Sequence, residues 1–174
     1  MNFSQNYFEL FQLPVDFSID LEDLANRYFE LQKTSHPDRY VGSSDQEQRL
    51  AVQWAMQINE AYQNLRDPLK RAIYLLKQSG VELIENPQMN PTFLIKQIEL
   101  REEIEAIEGN SDGAEQLDQL IQSISGQIAE LQQQFVTAYG AGKLDQAQQG
   151  VYEMQFMAKL QKSARQMEEK ILGY

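Results

Sequence analysis

Apolar residues recur along this chain at steps of three and four, the spacing that gathers side chains on one side of an α-helix. After Asp20, a predicted N-cap with Asp23 in the first turn, Leu21, Leu24, Ala25, Tyr28 and Leu31 share one face. Pro37 drives the preceding residue out of the helical region, so this helix ends near Ser35. A polar loop with Gly42-Ser43-Ser44 follows, and a second long helix begins near Asp45. At 100° per residue, Leu50, Trp54, Ile58, Ala61, Tyr62 and Leu65 occupy a face about 120° wide. Two amphipathic helices joined by a loop of roughly ten residues pack antiparallel. A short helix over residues 6–11 precedes them, and another over residues 69–76 follows Asp67-Pro68.

The periodicity stops between residues 79 and 90, where Gly80 and Pro87 punctuate a predicted linker, partly packed through Val81, Leu83 and Ile84. Beyond it lie three helical stretches, over residues 91–107, 112–139 and 143–172. Gly109-Asn110 and Gly140-Ala141-Gly142 mark the turns between them. The middle stretch carries Leu117, Leu120, Ile121, Ile124, Ile128, Leu131 and Phe135 as one core stripe. No strand of useful length competes with these helices. The expected fold is all-α, with a helical hairpin module over residues 1–78, a linker over 79–90 and a three-helix bundle over 91–174.

Composition narrows the chemistry. With 15 Lys+Arg against 26 Asp+Glu, the net charge of −11 opposes a phosphate backbone or an anionic membrane. Seven of the basic and 11 of the acidic residues fall in residues 1–75, so the acidity is shared along the chain. The absence of cysteine excludes disulfides, thiolate metal sites and thiol nucleophiles, and a single histidine excludes any site needing two. No apolar run reaches the ~18 residues of a membrane span, and the start lacks a basic region followed by an apolar one. A cytoplasmic binding protein without a cofactor is the expectation.

The one histidine lies in His36-Pro37-Asp38, after Arg27 and Lys33 and before Arg39. By itself such a triplet is an ordinary turn, with proline fixing φ and Asp bonding the local backbone. Placed at the open end of a helical hairpin beside basic residues, it suits docking to an acidic partner surface. General acid–base catalysis by His36 would need a nucleophile, an orienting group and a pocket, and the sequence places none of them beside it.

On the helix over residues 91–107, with Leu94 set at 0°, Phe93, Leu100, Ile104 and Ile107 lie between about 220° and 280°. Leu94, Ile95 and Ile98 lie between about 0° and 100°, away from that core face, with Glu99 and Glu102 as neighbours. An apolar patch edged by carboxylates is a candidate partner surface. The alternative is that these three residues pack on the linker or the first module. On the last helix Ala147, Val151, Met154 and Ala158 form one stripe. Met157, Leu160, Ala164, Met167 and Ile171 form another, about 140° round, with Phe156 at its outer edge as an interface anchor or an edge-packed core residue.

Tyr7-Phe8-Glu9-Leu10-Phe11, the basic second helix, His36-Pro37-Asp38-Arg39, and Ile58-Asn59-Glu60-Ala61-Tyr62 with Leu65 together resemble a J-domain. Arg71-Ala72-x-Tyr74-Leu75-Leu76, the stretch from Phe93 to Glu103, and Lys159-Leu160-x4-Arg165-Gln166-Met167-Glu168-Glu169-Lys170 are similar to the HscB family of iron–sulfur co-chaperones. The resemblance implies a protein that is no enzyme itself. It would dock on a HscA-type chaperone of the DnaK class and stimulate its ATPase through His36, Pro37 and Asp38, with Arg27, Lys33 and Arg39 as the basic docking face. It also implies that Leu94, Ile95, Ile98, Glu99, Glu102 and Phe156 bind the iron–sulfur scaffold IscU. Two positions depart from the family pattern: Arg39 stands where lysine is usual, and Ala106 where an acidic residue can serve. A J-protein with a different client, and a helical adaptor without a chaperone link, are the alternatives.

Overall fold

The computed structural model describes residues 2–110 and 112–173, and at Pro37 the backbone only. Seven α-helices and one 3-10 turn occur among the described residues: α1 (Tyr7–Leu10), α2 (Leu21–Ser35), the 3-10 turn Pro37–Tyr40, α3 (Asp45–Arg66), α4 (Pro68–Gln78), α5 (Pro91–Ile107), α6 (Gly113–Gly140) and α7 (Leu144–Leu172). They form two compact units, Met1–Ser79 and Gly80–Tyr174.

In the first unit short polar side chains set the helix starts. Asn6 and Ser44 each form a reciprocal capping box, with Glu9 and Glu47, at the heads of α1 and α3. Asp20 accepts from the backbone N–H groups of Glu22 and Asp23, and Asp67 from that of Lys70. α2 and α3 run antiparallel, since Tyr28 stacks on Tyr62 with ring centroids 4.0 Å apart while Gln32, one turn later, reaches back to Asn59. Inward positions of α3 are Ala51, Trp54, Ile58, Ala61 and Leu65. Leu50 and Leu21, both predicted on core faces, are instead exposed. Ala51 takes the inward place, because the buried α3 stripe repeats at steps of three and four from position 51 and leaves Leu50 at its margin.

Phe8 and Leu10 from α1, with its C-cap Phe11 and Leu13 and Phe17 from the loop behind it, complete this core. Arg71 is buried beneath them. Its guanidinium donates to the Leu65 carbonyl and lies 4.8 Å from the Phe17 ring centroid. Burial holds that guanidinium below its usual pKa, and Asp67 partly opposes the shift.

The second unit is built differently. Neither α6 nor α7 has a side-chain N-cap bond, and the two long helices zip together through their apolar stripes. Leu117, Leu120, Ile121, Ile124, Leu131 and Phe135 are buried on α6, as the spacing predicts. α7 packs against both α5 and α6, which accounts for its two apolar stripes. α6 and α7 are antiparallel, with Gln161 bonding Ser125 near mid-helix. α5 runs parallel to α7: Phe93 meets Phe156 at one end and Glu108 pairs with Lys170 at the other. Gly113 opens α6 where a Cβ would lie 3.1 Å from the Ile107 carbonyl oxygen and 3.2 Å from the Ile171 side chain, so the absent side chain permits a close approach there.

Residues 80–90 carry no helix and lie along α7. The Ile84 N–H donates to the Tyr152 hydroxyl at 2.9 Å, and Gln148 donates to the Glu82 carbonyl at 2.9 Å. A tyrosine in the buried stripe of α7 is thereby explained: its ring fills the core and its hydroxyl satisfies a loop amide.

Candidate functional sites

In the first unit Pro37 ends α2 in the way its chemistry requires. His36 is the C-cap with φ −58° and ψ 130°, so the chain leaves the helix in an extended turn. The same residue caps the following 3-10 turn: its Nδ1 accepts the Asp38 N–H at 3.3 Å. Asp38 Oδ2 lies 3.5 Å from that nitrogen, a contact that becomes ionic when the imidazole is protonated. Both side chains are exposed. They are held by local geometry and offered outward, and among the described residues no third group is hydrogen-bonded to them as an acid–base site would need.

Arg39 locks this loop to the helix it follows. Its guanidinium donates to the Lys33 carbonyl at 3.0 Å, satisfying one of the acceptors left free in the last turn of α2. Lys33 pairs with Glu30 at 2.7 Å, and its ammonium lies 4.3 Å from the ring centroid of Phe29. Lys33, His36, Asp38 and Arg39 therefore form one connected surface. Arg27 does not join it. Its guanidinium donates to the carbonyls of Phe11 and Gln12, both at 3.0 Å, and to Asp23 at 2.8 Å, bracing the loop after α1. The hydrogen bond that Arg27 donates to Asp23 holds its guanidinium above its usual pKa. The side chain of Pro37 lies outside the described residues.

Behind this surface a set of polar contacts fixes the hairpin. The Tyr7 hydroxyl donates to Glu60 at 2.8 Å while the ring stacks on Tyr74 with centroids 4.2 Å apart. Burial first, and then Glu60, push the Tyr7 hydroxyl well above the usual phenol range. Asn59 accepts from Tyr28 and Gln32. The Asn59-Glu60-Ala61-Tyr62 run is thus a clamp, with Asn59, Glu60 and Tyr62 engaged by α1 or α2 and Ala61 buried beneath them.

In the second unit Leu94, Ile95 and Ile98 are 38%, 56% and 58% exposed, while Ile104 and Ile107 on the opposite side of α5 are buried. Leu94, Ile98 and Glu102 line a groove of about 600 Å³ between α5 and α7, with Phe156 on its far wall. Phe156 is held edge-on to Phe93 at 6.1 Å. Ile95 and Glu99 are exposed on α5 outside the groove lining. The groove also takes in Arg101, Glu105 and Lys159, none of them among the predicted site residues. Glu105 thus sits on the groove, while Ala106 faces away from it. At the floor is Gln97, only 9% exposed, whose amide nitrogen lies 3.0 Å from the Met157 sulfur and whose Oε1 has no hydrogen-bond partner among the described residues. Among those residues no group of three metal-ligating side chains occurs, and no helix is long and apolar enough to cross a membrane.

Residues 6–74 match the DnaJ domain and residues 89–165 match the HSCB C-terminal oligomerisation domain. The co-chaperone protein HscB homologues of Vibrio vulnificus and Vibrio cholerae are 41% and 37% identical to this chain, each over 97% of it and 99% of their own length. The chain belongs to the HscB co-chaperone family. The solved structure of the chaperone HscB from Vibrio cholerae superposes with a TM-score of 0.89 at 35% identity, covering 96% of this chain and 99% of that one. The expected all-α class and the expected family are both met, and the first unit of this HscB-family protein is its J-domain.

Proposed function

We propose that this HscB-family co-chaperone captures an IscU-type iron–sulfur scaffold on its second unit and delivers it to a HscA-type ATPase of the DnaK class. His36, Pro37 and Asp38, with Lys33 and Arg39 beside them, engage the ATPase and stimulate hydrolysis. Leu94, Ile95, Ile98, Glu99, Glu102 and Phe156 receive the scaffold, and the setting is the cytoplasm. The chain makes and breaks no bond itself. It raises the effective concentration of one partner at the other and couples hydrolysis to capture.

The observation that carries this reading is the coexistence, in separate units, of an outward-facing His36–Asp38 cap and an apolar groove edged by carboxylates. Arg27 enters the proposal as a brace for the docking unit, since its guanidinium bonds Asp23 and the carbonyls of Phe11 and Gln12. The test is calorimetric titration with purified scaffold, together with a steady-state ATPase assay on the chaperone. Wild type should bind the scaffold saturably, and His36→Gln should bind it equally well while losing stimulation. Absence of scaffold binding by the wild type would refute the iron–sulfur assignment, and absence of stimulation would refute chaperone docking.

A further inference from the structure

The chain between α4 and α5 has no helix of its own, yet it is fastened along most of its length. Ser79 closes α4 by donating its N–H to the carbonyls of Leu75 and Leu76. Gly80 follows at φ 79°, a left-handed turn that favours glycine. From Glu82 onward α7 takes over. Gln148 donates to the Glu82 carbonyl, the Tyr152 hydroxyl accepts the Ile84 N–H, and the Gln149 amide lies 3.8 Å from the Met89 sulfur. Asn90 then caps α5 by accepting from the Thr92 N–H. Gly80 and Val81 separate the bonds to α4 from the bonds to α7, whereas without the α7 bonds that interval would run over residues 80–89. Tyr152 is buried and its one polar side-chain atom is directed at this segment, although phenylalanine would fill the same core space.

We propose that Tyr152 and Gln148 hold residues 82–89 as a strap, which shortens the free chain joining the two sites to Gly80-Val81 and so couples scaffold capture to ATPase stimulation. This rests on the delivery reading above. When the His36 cap and a scaffold held on the second unit engage the same ATPase, the second contact is intramolecular. Its effective concentration falls roughly as the −3/2 power of the length of free chain. Lengthening the free chain from residues 80–81 to residues 80–89 therefore dilutes that contact about tenfold. Neither Tyr152 nor Gln148 lines the apolar groove. They are positioning residues: each separate contact keeps its strength, and the strap sets how far one reinforces the other.

The test compares the full chain as wild type, as the double variant Tyr152→Phe/Gln148→Ala, and with about eight Gly and Ser residues inserted after Gly80, which lengthens the link and leaves the strap intact. The Ile84 amide should exchange hydrogen about tenfold faster in the double variant and at the wild-type rate in the insertion variant. At saturating scaffold, the concentration giving half-maximal stimulation of the cognate chaperone's ATPase should rise about tenfold for both variants. Without scaffold their midpoints should equal that of wild type, as should their calorimetric affinities for scaffold alone. An Ile84 amide that stays protected in the double variant, or a wild-type midpoint at saturating scaffold in either variant, would overturn the strap and leave the delivery reading standing. Scaffold affinity lost in the double variant would assign the bonds to the groove, against the proposal. A wild type that neither binds scaffold nor stimulates turnover overturns both.

Discussion

The two units make their candidate sites by opposite means. In the first, the site is where a helix is stopped: Pro37 breaks α2, and His36, Asp38 and Arg39 close the exposed turn through bonds to neighbouring backbone. In the second, the site lies along a helix that continues unbroken and is apolar on two sides. α5 turns Ile104 and Ile107 into the bundle and leaves Leu94, Ile95 and Ile98 outside it. A stopped helix needs a rigid setting, and the first unit supplies caps, stacked tyrosines and a buried arginine. A two-sided helix needs only a core that is satisfied without its outer face, and the α6–α7 pair provides that. The candidate site in one unit rests on a local backbone geometry, and in the other on surplus apolar surface.

The largest expected effect separates the two sides of α5. Ile104→Ala should cost the second unit about 2–5 kcal/mol of stability, as buried truncations do. Ile98→Ala, the same change on the exposed side, should shift stability by about 0.5 kcal/mol or less yet weaken scaffold binding by about 1–3 kcal/mol. Denaturation and calorimetry on both variants check this, and equal stability losses would end the distinction between core and surface faces.

Next in size is the clamp behind the stopped helix. Tyr7→Phe removes the hydroxyl that donates to Glu60 and should cost the first unit about 1 kcal/mol at neutral pH. Trp54, the only tryptophan and buried in that unit, offers a fluorescence signal for it. Because the folded Tyr7 holds its proton more tightly than a free phenol, its contribution is complete below about pH 10 and fades as pH rises toward the folded pKa. The gap between wild type and Tyr7→Phe should therefore narrow above pH 10, and a gap independent of pH would contradict the assignment.

The smallest effect concerns the floor of the groove. Gln97→Leu replaces a buried carboxamide with an unpartnered oxygen, so stability should stay level or rise by about 1 kcal/mol. A clear loss would mean that the amide contact to Met157 matters more than the orphaned acceptor.

These two kinds of site were unequally legible in the sequence. The helix ends followed from local chemistry: Asp20 caps α2 as expected, and α2, α3, α5, α6 and α7 begin or end within a residue or so of their predicted limits. The outward set on α5 followed from angles alone, because a straight helix of known period leaves little else to decide. Contacts between helices did not follow. That Tyr28 meets Tyr62, that Arg27 braces Phe11 and Gln12, and that Gly113 lies under Ile171 all depend on register and close approach between distant segments. Charge alone groups Arg27 with the docking face, while its bonds to Asp23 and to the carbonyls of Phe11 and Gln12 are legible only in the folded chain.

The measurement that tests the whole account most directly is chaperone ATPase turnover with and without purified scaffold, for wild type, His36→Gln and Ile98→Ala. Wild type should stimulate turnover, and scaffold should raise it further. His36→Gln should abolish both effects, and Ile98→Ala should keep the basal stimulation while losing the scaffold-dependent increment. Scaffold enhancement that survives Ile98→Ala with unchanged scaffold dependence, or stimulation that survives His36→Gln, would contradict it.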